Sequence, residues 1–217
     1  MRKELKKKMM ITSIVTALPI LVGLALWNQL PEQMAIHFGR GGEANGWSSK
    51  GFAVIGLPLI LVALNIICMV VTETDPRRAK YPEKMMKLVY WICPVASWIG
   101  SMSIYGNAMG YDLSNMELWV NLLLGVVFIV IGNYLPKIKQ NYYLGIKLPW
   151  TYASEANWNK THRLGGKVWV LGGILFILNT FLKVKGAEIV LIIVMILVPT
   201  VYSYLYSREE QKKGSES

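Results

Sequence analysis

Six stretches of this chain are long and apolar enough to cross a lipid bilayer, and that settles the fold class before anything else is read. They cover residues 9–29, 51–72, 88–109, 118–135, 164–182 and 187–206. Each is close to the roughly 17–25 residues that a spanning helix needs. Helix is the expected conformation, because an isolated strand cannot satisfy its backbone groups in hydrocarbon. A soluble six-helix protein would need polar outer faces, and these stretches are apolar all round. Composition agrees: 53% of the 217 residues are hydrophobic and 17% are charged, against about a quarter charged in a soluble domain. The expected fold is an all-α integral membrane protein of six transmembrane helices. The first span follows a basic start, as a signal peptide would. Its apolar run of about 18 residues exceeds the usual 7–15 and lacks a small-residue cleavage site, so it reads as a retained anchor.

Charge gives the direction. Nineteen of the 23 Lys and Arg residues lie in the N-terminal tail, the loops after spans 2 and 4, and the C-terminal tail. Four lie in the alternate loops: Arg40, Lys50, Lys183 and Lys185. The positive-inside bias then places both termini in the cytoplasm. The net charge of +10 is thus a topology signal, and direct nucleic-acid binding is not needed to explain it. Trp27, Trp47, Trp119 and Trp150 lie near span ends, as interface anchors do. Cys68 and Cys93 read as reduced, buried thiols without a C-x-x-C partner.

No ionisable residue lies deep in a span, which weighs against proton-coupled transport. Asn65, Asn107, Asn121, Asn133 and Asn179 are expected to hydrogen-bond between helices at about 1 kcal/mol each. Gly106 with Gly110, and Gly125 with Gly132, are candidate close-packing pairs.

Two loops carry the remaining information. The expected outer loop, 30–50, starts at Pro31, has extended character at 35–38, and must turn between Gly39 and Gly46. His37 with Glu43 makes a poor metal set, so His37 is read as a hydrogen-bonding residue. The expected cytoplasmic loop, 136–163, holds Tyr142, Tyr143, Trp150, Tyr152, Trp158 and His162, too many aromatic rings for a disordered segment. Ser154 is the expected N-cap of a short helix from Glu155 to about Leu164. That spacing puts Glu155, Trp158 and His162 on one face. Such a helix suits the membrane surface, with Lys160 and Arg163 toward lipid phosphates. It also suits a docking platform for a cytoplasmic protein. No nucleophile stands beside His162 and Glu155 and no H-E-x-x-H motif occurs. The chain is therefore read as a non-enzyme without cofactor or metal.

The same loops resemble the SdpI family, which includes immunity proteins that protect sporulating bacilli from their own secreted peptide toxin. The similarity runs from Gly132-Asn133 through Asn141, Gly145-Ile146-Lys147-Leu148-Pro149-Trp150-Thr151, Ser154-Glu155 and Trp158 to Thr161-His162-Arg163. Lys147-Leu148 stands where the family commonly has Arg-Thr, which keeps the charge but not the guanidinium fork. Pro31, Ile36-His37-Phe38, Gly42 and Gly46-Trp47-Ser48-Ser49-Lys50 resemble the N-terminal domain of unknown function associated with that family.

The resemblance implies a multi-pass protein of the bacterial plasma membrane that protects against a membrane-active peptide toxin and sequesters a cytoplasmic transcriptional repressor. On that reading Asn133, Asn141, Gly145, Lys147, Pro149, Trp150, Thr151, Glu155, Trp158, His162 and Arg163 form the cytoplasmic docking loop. Pro31, His37, Phe38, Gly42, Gly46, Trp47 and Ser48 face the toxin. The chain divides into a three-span region, 1–110, and an SdpI-like region, 111–217, within one membrane domain. The alternative is a small transporter or peptide exporter with a polar cavity lined by Asn65, Asn107, Asn121 and Asn179.

Overall fold

The computed structural model describes residues 3–39, 43–111 and 116–215. Its elements are, in chain order, α1 (Lys3–Ala25), β1 (Gln33–Phe38), β2 (Ala44–Ser49), α2 (Leu57–Glu73), α3 (Glu83–Ala108), α4 (Met116–Tyr134), α5 (Pro149–Ala153), α6 (Glu155–Leu182) and α7 (Ala187–Ser215). A π-helical turn, Phe52–Gly56, leads into α2, and 3-10 turns occupy Arg78–Lys80 and Leu135–Lys137. Among the described residues, six helices are long and apolar enough to span a membrane, α2 and α4 counted with their adjoining turns as Phe52–Glu73 and Leu118–Lys137, which gives the six expected spans.

Three boundaries differ from the sequence reading. The short helix expected to end near Leu164 runs on without a break as α6 to Leu182, because no proline or polar cluster interrupts it. Residues past 206, read as a tail, continue α7. The expected outer loop contains an antiparallel hairpin, so the helical fold carries a small sheet. The chain divides into two compact units, Met1–Thr74 with Glu83–Glu117, and Asp75–Pro82 with Leu118–Ser217.

The first unit packs α1, α2 and α3 together. Their seam is polar at chosen points. Asn65 is fully buried and its Nδ2 donates to Thr12 Oγ1 at 2.9 Å. Ser97 Oγ donates to Thr16 O at 2.7 Å. Pro19 lies inside α1, and a proline there removes the N–H that the carbonyl four residues earlier would accept. That carbonyl belongs to Val15, and Trp98 Nε1 of α3 donates to it at 3.1 Å. Cys93 is buried as expected, whereas Cys68 is exposed on α2; both are free thiols.

The second unit repeats the device. Pro199 lies inside α7, and the carbonyl it leaves without a helical partner, Met195 O, accepts from Trp169 Nε1 of α6 at 3.0 Å. Helices α4 and α6 touch through glycines. A Cβ on Gly132 would lie 2.9 Å from Gly166 O, and one on Gly173 would lie 2.6 Å from Gly125 O. Gly125 and Gly132 therefore pack closely, as their spacing suggested. The pair of Gly106 and Gly110 does not: Gly110 takes φ +78° beyond α3 with open space around it, and Tyr111 N–H donates back to Gly106 O at 3.0 Å, which ends the helix. Asn179 closes the α6–α7 turn by bonding both backbone groups of Val184 and Glu188 Oε1. Asn133 is exposed on α4.

Replacing either indole should strand one buried carbonyl, at a cost of about 1–3 kcal/mol. Trp98→Phe is expected to lower the unfolding free energy in mixed micelles by that amount. In a Pro19→Ala background, where residue 19 again supplies an N–H, the loss should shrink. Additive losses in this double-mutant cycle would contradict the pairing.

Candidate functional site

The loop between α4 and α6 has almost no regular structure, so its backbone groups need other partners. Side chains within the same segment supply them. Asn141 is fully buried. Its Oδ1 accepts from the N–H groups of Tyr143 at 2.9 Å and Leu144 at 2.7 Å. Its Nδ2 donates to Lys139 O and Leu144 O, both at 2.9 Å. All four hydrogen-bonding positions of the amide are thus used inside one turn. Gly145 follows at φ +108°. A Cβ there would be strained by the backbone and would overlap His162 Nε2.

Thr151 fastens the next stretch. It is buried, accepts from Leu148 N–H at 2.9 Å and donates toward Leu148 O and Ile146 O. Pro149 opens α5, where a missing N–H is harmless. Gln140 Nε2 closes that short helix by donating to Thr151 O and Tyr152 O, both at 2.9 Å. Ser154 then caps α6, accepting from Asn157 N–H at 3.1 Å, and donates to Glu210 of α7 at 3.0 Å.

From α6, two buried rings complete the lattice. Trp158 Nε1 donates to Ile138 O at 2.7 Å. His162 Nε2 accepts from Ile146 N–H at 2.9 Å, and Nδ1 lies 2.8 Å from Trp158 O. Because a backbone N–H can only donate, Nε2 must be unprotonated and the ring proton must sit on Nδ1. The two rings stack with centroids 4.1 Å apart. The stack continues outward through Tyr152 and Tyr142 to the Arg77 guanidinium, 4.6 Å above the Tyr142 ring.

The sequence reading missed a partner at this outer end. Asp75, in the loop after α2, is 4% exposed. Its carboxylate accepts from Arg77 N–H at 2.7 Å, from Tyr142 N–H at 3.3 Å and from the Tyr81 hydroxyl. A lone Asp among basic residues, followed by Pro76, was the available signal.

The residues expected to form a docking loop therefore fall into two groups. Asn141, Thr151, Trp158 and His162 are buried and hold the loop together. Lys147, Pro149, Glu155 and Arg163 are exposed. Trp150 is half-buried, its ring edge-on to Tyr204 of α7 at 5.4 Å. Glu155 does not pair with His162, since both imidazole nitrogens are bonded elsewhere.

In the first unit, β1 and β2 pair antiparallel with irregularities on either side of His37. Leu30, Met34, Ala53, Val54, Ile104 and Tyr105 form the core beneath them. Phe38 packs against that core, whereas Trp47 is 59% exposed. Gly46 and His37 are register partners, and a Cβ on Gly46 would lie 3.0 Å from that of His37. His37 Nδ1 bonds the Asn45 side chain. Pro31 is exposed and Ser48 half-buried; Gly42 lies outside the described residues. The buried Lys50 had been read only as a topology charge. Its Nζ donates to Trp27 O at 3.3 Å and Leu30 O at 3.1 Å, and pairs with Glu32 at 2.7 Å. It thus satisfies carbonyls beyond the end of α1, with the Trp27 ring 5.0 Å away.

Residues 137–207 match the SdpI/YfhL protein family, and residues 14–62 match a domain of unknown function, DUF1648. The C-terminal part of the chain is thus similar to the SdpI/YfhL family. The chain is 28% identical over 213 residues to the Immunity protein SdpI of Bacillus subtilis (strain 168), covering 95% of this chain and 97% of that relative. No solved structure matches it. Together with the six apolar helices, this makes the chain a multi-pass bacterial membrane protein.

Two substitutions test the lattice. Gly145→Ala should destabilise the loop more than Lys147→Ala. His162→Phe keeps a ring against Trp158 but removes the acceptor for Ile146 N–H, at a cost of about 1–3 kcal/mol. Hydrogen exchange at Ile146 and Leu148 should accelerate in Gly145→Ala and His162→Phe but not in Lys147→Ala.

Proposed function

We propose that this protein confers immunity on its host against a membrane-active peptide toxin. The observation that carries the reading is the relationship to an immunity protein along nearly the whole of both chains. Protection needs no bond-breaking chemistry. It needs a surface that binds the peptide more favourably than the bilayer does.

The hairpin supports that role. Trp47 and the His37–Asn45 pair are exposed upon it, over a packed core that includes Met34 of β1. Trp47 offers a large amphipathic ring to an apolar peptide at low conformational cost. Lys50 fixes the hairpin to the chain leaving α1, so the surface is preorganised. Positive-inside charge places this hairpin outside the cell, where a secreted toxin arrives.

The signalling arm of the reading falls to the exposed side of α6. Glu155, Lys160 and Arg163 are exposed there and suit a polar cytoplasmic partner such as a repressor. The transporter alternative gains nothing from Asn179, which is bonded within the α6–α7 turn; Asn65 Nδ2 bonds Thr12, while its buried Oδ1 has no hydrogen-bond partner.

Deleting the gene should sensitise cells to the cognate peptide, and restoring it should rescue them. Trp47→Ala, expressed to the same membrane level, should restore survival only in part. Unchanged survival in the deletion strain would remove the immunity reading.

A further inference from the structure

The exposed face of the loop between α4 and α6 has a chemistry that immunity does not use. Residues 136–154 contain Lys137, Lys139 and Lys147 and no Asp or Glu. Lys139 and Lys147 are exposed. Between them stand Tyr142 and Tyr143, 47% and 43% exposed, with Tyr152 at 37%. Two carboxylates bond this region: Asp75, buried and bonded to Tyr81, Arg77 N–H and Tyr142 N–H, and Glu210 of α7, which accepts from Ser154 at the far end of the loop. The Arg77 side chain lies beside Asp75 on Tyr142. The surface is therefore cationic, and its side chains stand on a loop already fixed by Asn141, Gln140, Thr151, Trp158 and His162.

We propose that this face binds the phosphodiester headgroups of anionic phospholipids, with Lys139 and Lys147 as the charge partners and Tyr142 and Tyr143 as interfacial anchors. Three observations choose lipid over an acidic protein. The loop leaves α4 through the Leu135–Lys137 turn and re-enters the spans at Glu155, so its 17 or so residues cannot stray far from the membrane surface. The large exposed side chains are tyrosines, which settle at the headgroup level. The apolar anchors that a protein-binding hot spot needs are not presented: Ile138 is buried, and Leu144, Ile146 and Leu148 are half-buried. Anionic leaflets attract basic side chains at their surface by about five-fold in affinity for each charge.

The full chain, purified in detergent, is titrated with phosphatidylglycerol or phosphatidylcholine and read by native mass spectrometry. Phosphatidylglycerol adducts are expected to predominate. Lys139→Gln and Lys147→Gln should each weaken them about five-fold, and the double Lys→Arg variant should retain them. Raising the salt should weaken the phosphatidylglycerol adducts alone. Equal binding of the two lipids, or a preference unchanged in the double Gln variant, would overturn the proposal. So would full displacement by inorganic phosphate, which would mark a generic anion site, or tight binding of an acidic peptide with no lipid preference, which would mark a protein-docking face. Survival under toxin challenge is a separate readout, so the failure of one proposal does not entail the failure of the other.

Discussion

A chain in a bilayer has to satisfy its backbone polar groups from within, and this protein departs from regular helix in several places where the freed groups need partners of their own. Each departure described above is met by a specific side chain. Trp98 covers the carbonyl released by Pro19, and Trp169 covers that released by Pro199. Lys50 takes carbonyls where the chain leaves α1. Asn141, Gln140, Thr151, Trp158 and His162 carry the backbone from Ile138 to Tyr152. An unpaired buried amide group costs several kcal/mol in hydrocarbon, against a net gain of about 1 kcal/mol for a typical hydrogen bond in water. That asymmetry explains why large aromatic and amide side chains sit at these positions.

It also changes what the family-like motif means. Exposed Trp and His in a long loop suggest recognition, and most of these residues were first read in that way. Trp158 and His162 are instead internal supports, and the glycine before Ile146 exists to let His162 approach. Loss of function on replacing them would report a collapsed loop as readily as a lost partner. Recognition is better sought in Lys139, Tyr142, Tyr143 and Lys147, whose replacement leaves the lattice bonds donated by Asn141 and Thr151 intact.

The spans were legible because apolar length is a one-dimensional property. The Ser154 cap and the Gly125–Gly132 packing face were legible because helical spacing converts sequence into geometry. Three features were not. Continuity of α6 past Leu164 could not be read, because a surface helix and a membrane span that abut at one residue give the same pattern whether or not the helix runs on. The partners of Lys50 and Asp75 are distant in sequence or are backbone atoms, so neither residue carried a motif. The hairpin was half legible: its turn and the extended character of 35–38 were evident, but β2 holds Gly46, Ser48 and Ser49, which say little about strand.

The two proline sites show how such a bundle can hold a proline within a span without leaving the freed carbonyl unpaired. A proline alone would leave a carbonyl facing lipid, and a tryptophan alone would need some other acceptor for its N–H. Placed on neighbouring helices, each answers the other's requirement. The pairing also sets the relative height of the two helices, since the donor must meet one carbonyl and no other. Pro19 with Trp98 does this for α1 and α3, and Pro199 with Trp169 for α7 and α6. Within each unit, then, an indole–carbonyl hydrogen bond helps to fix the register of adjoining spans. In the first unit Tyr105 of α3, part of the core beneath the hairpin, donates to Pro19 O at 3.1 Å. The core under the strand pair that carries Trp47 is therefore tied to α1 at the same proline.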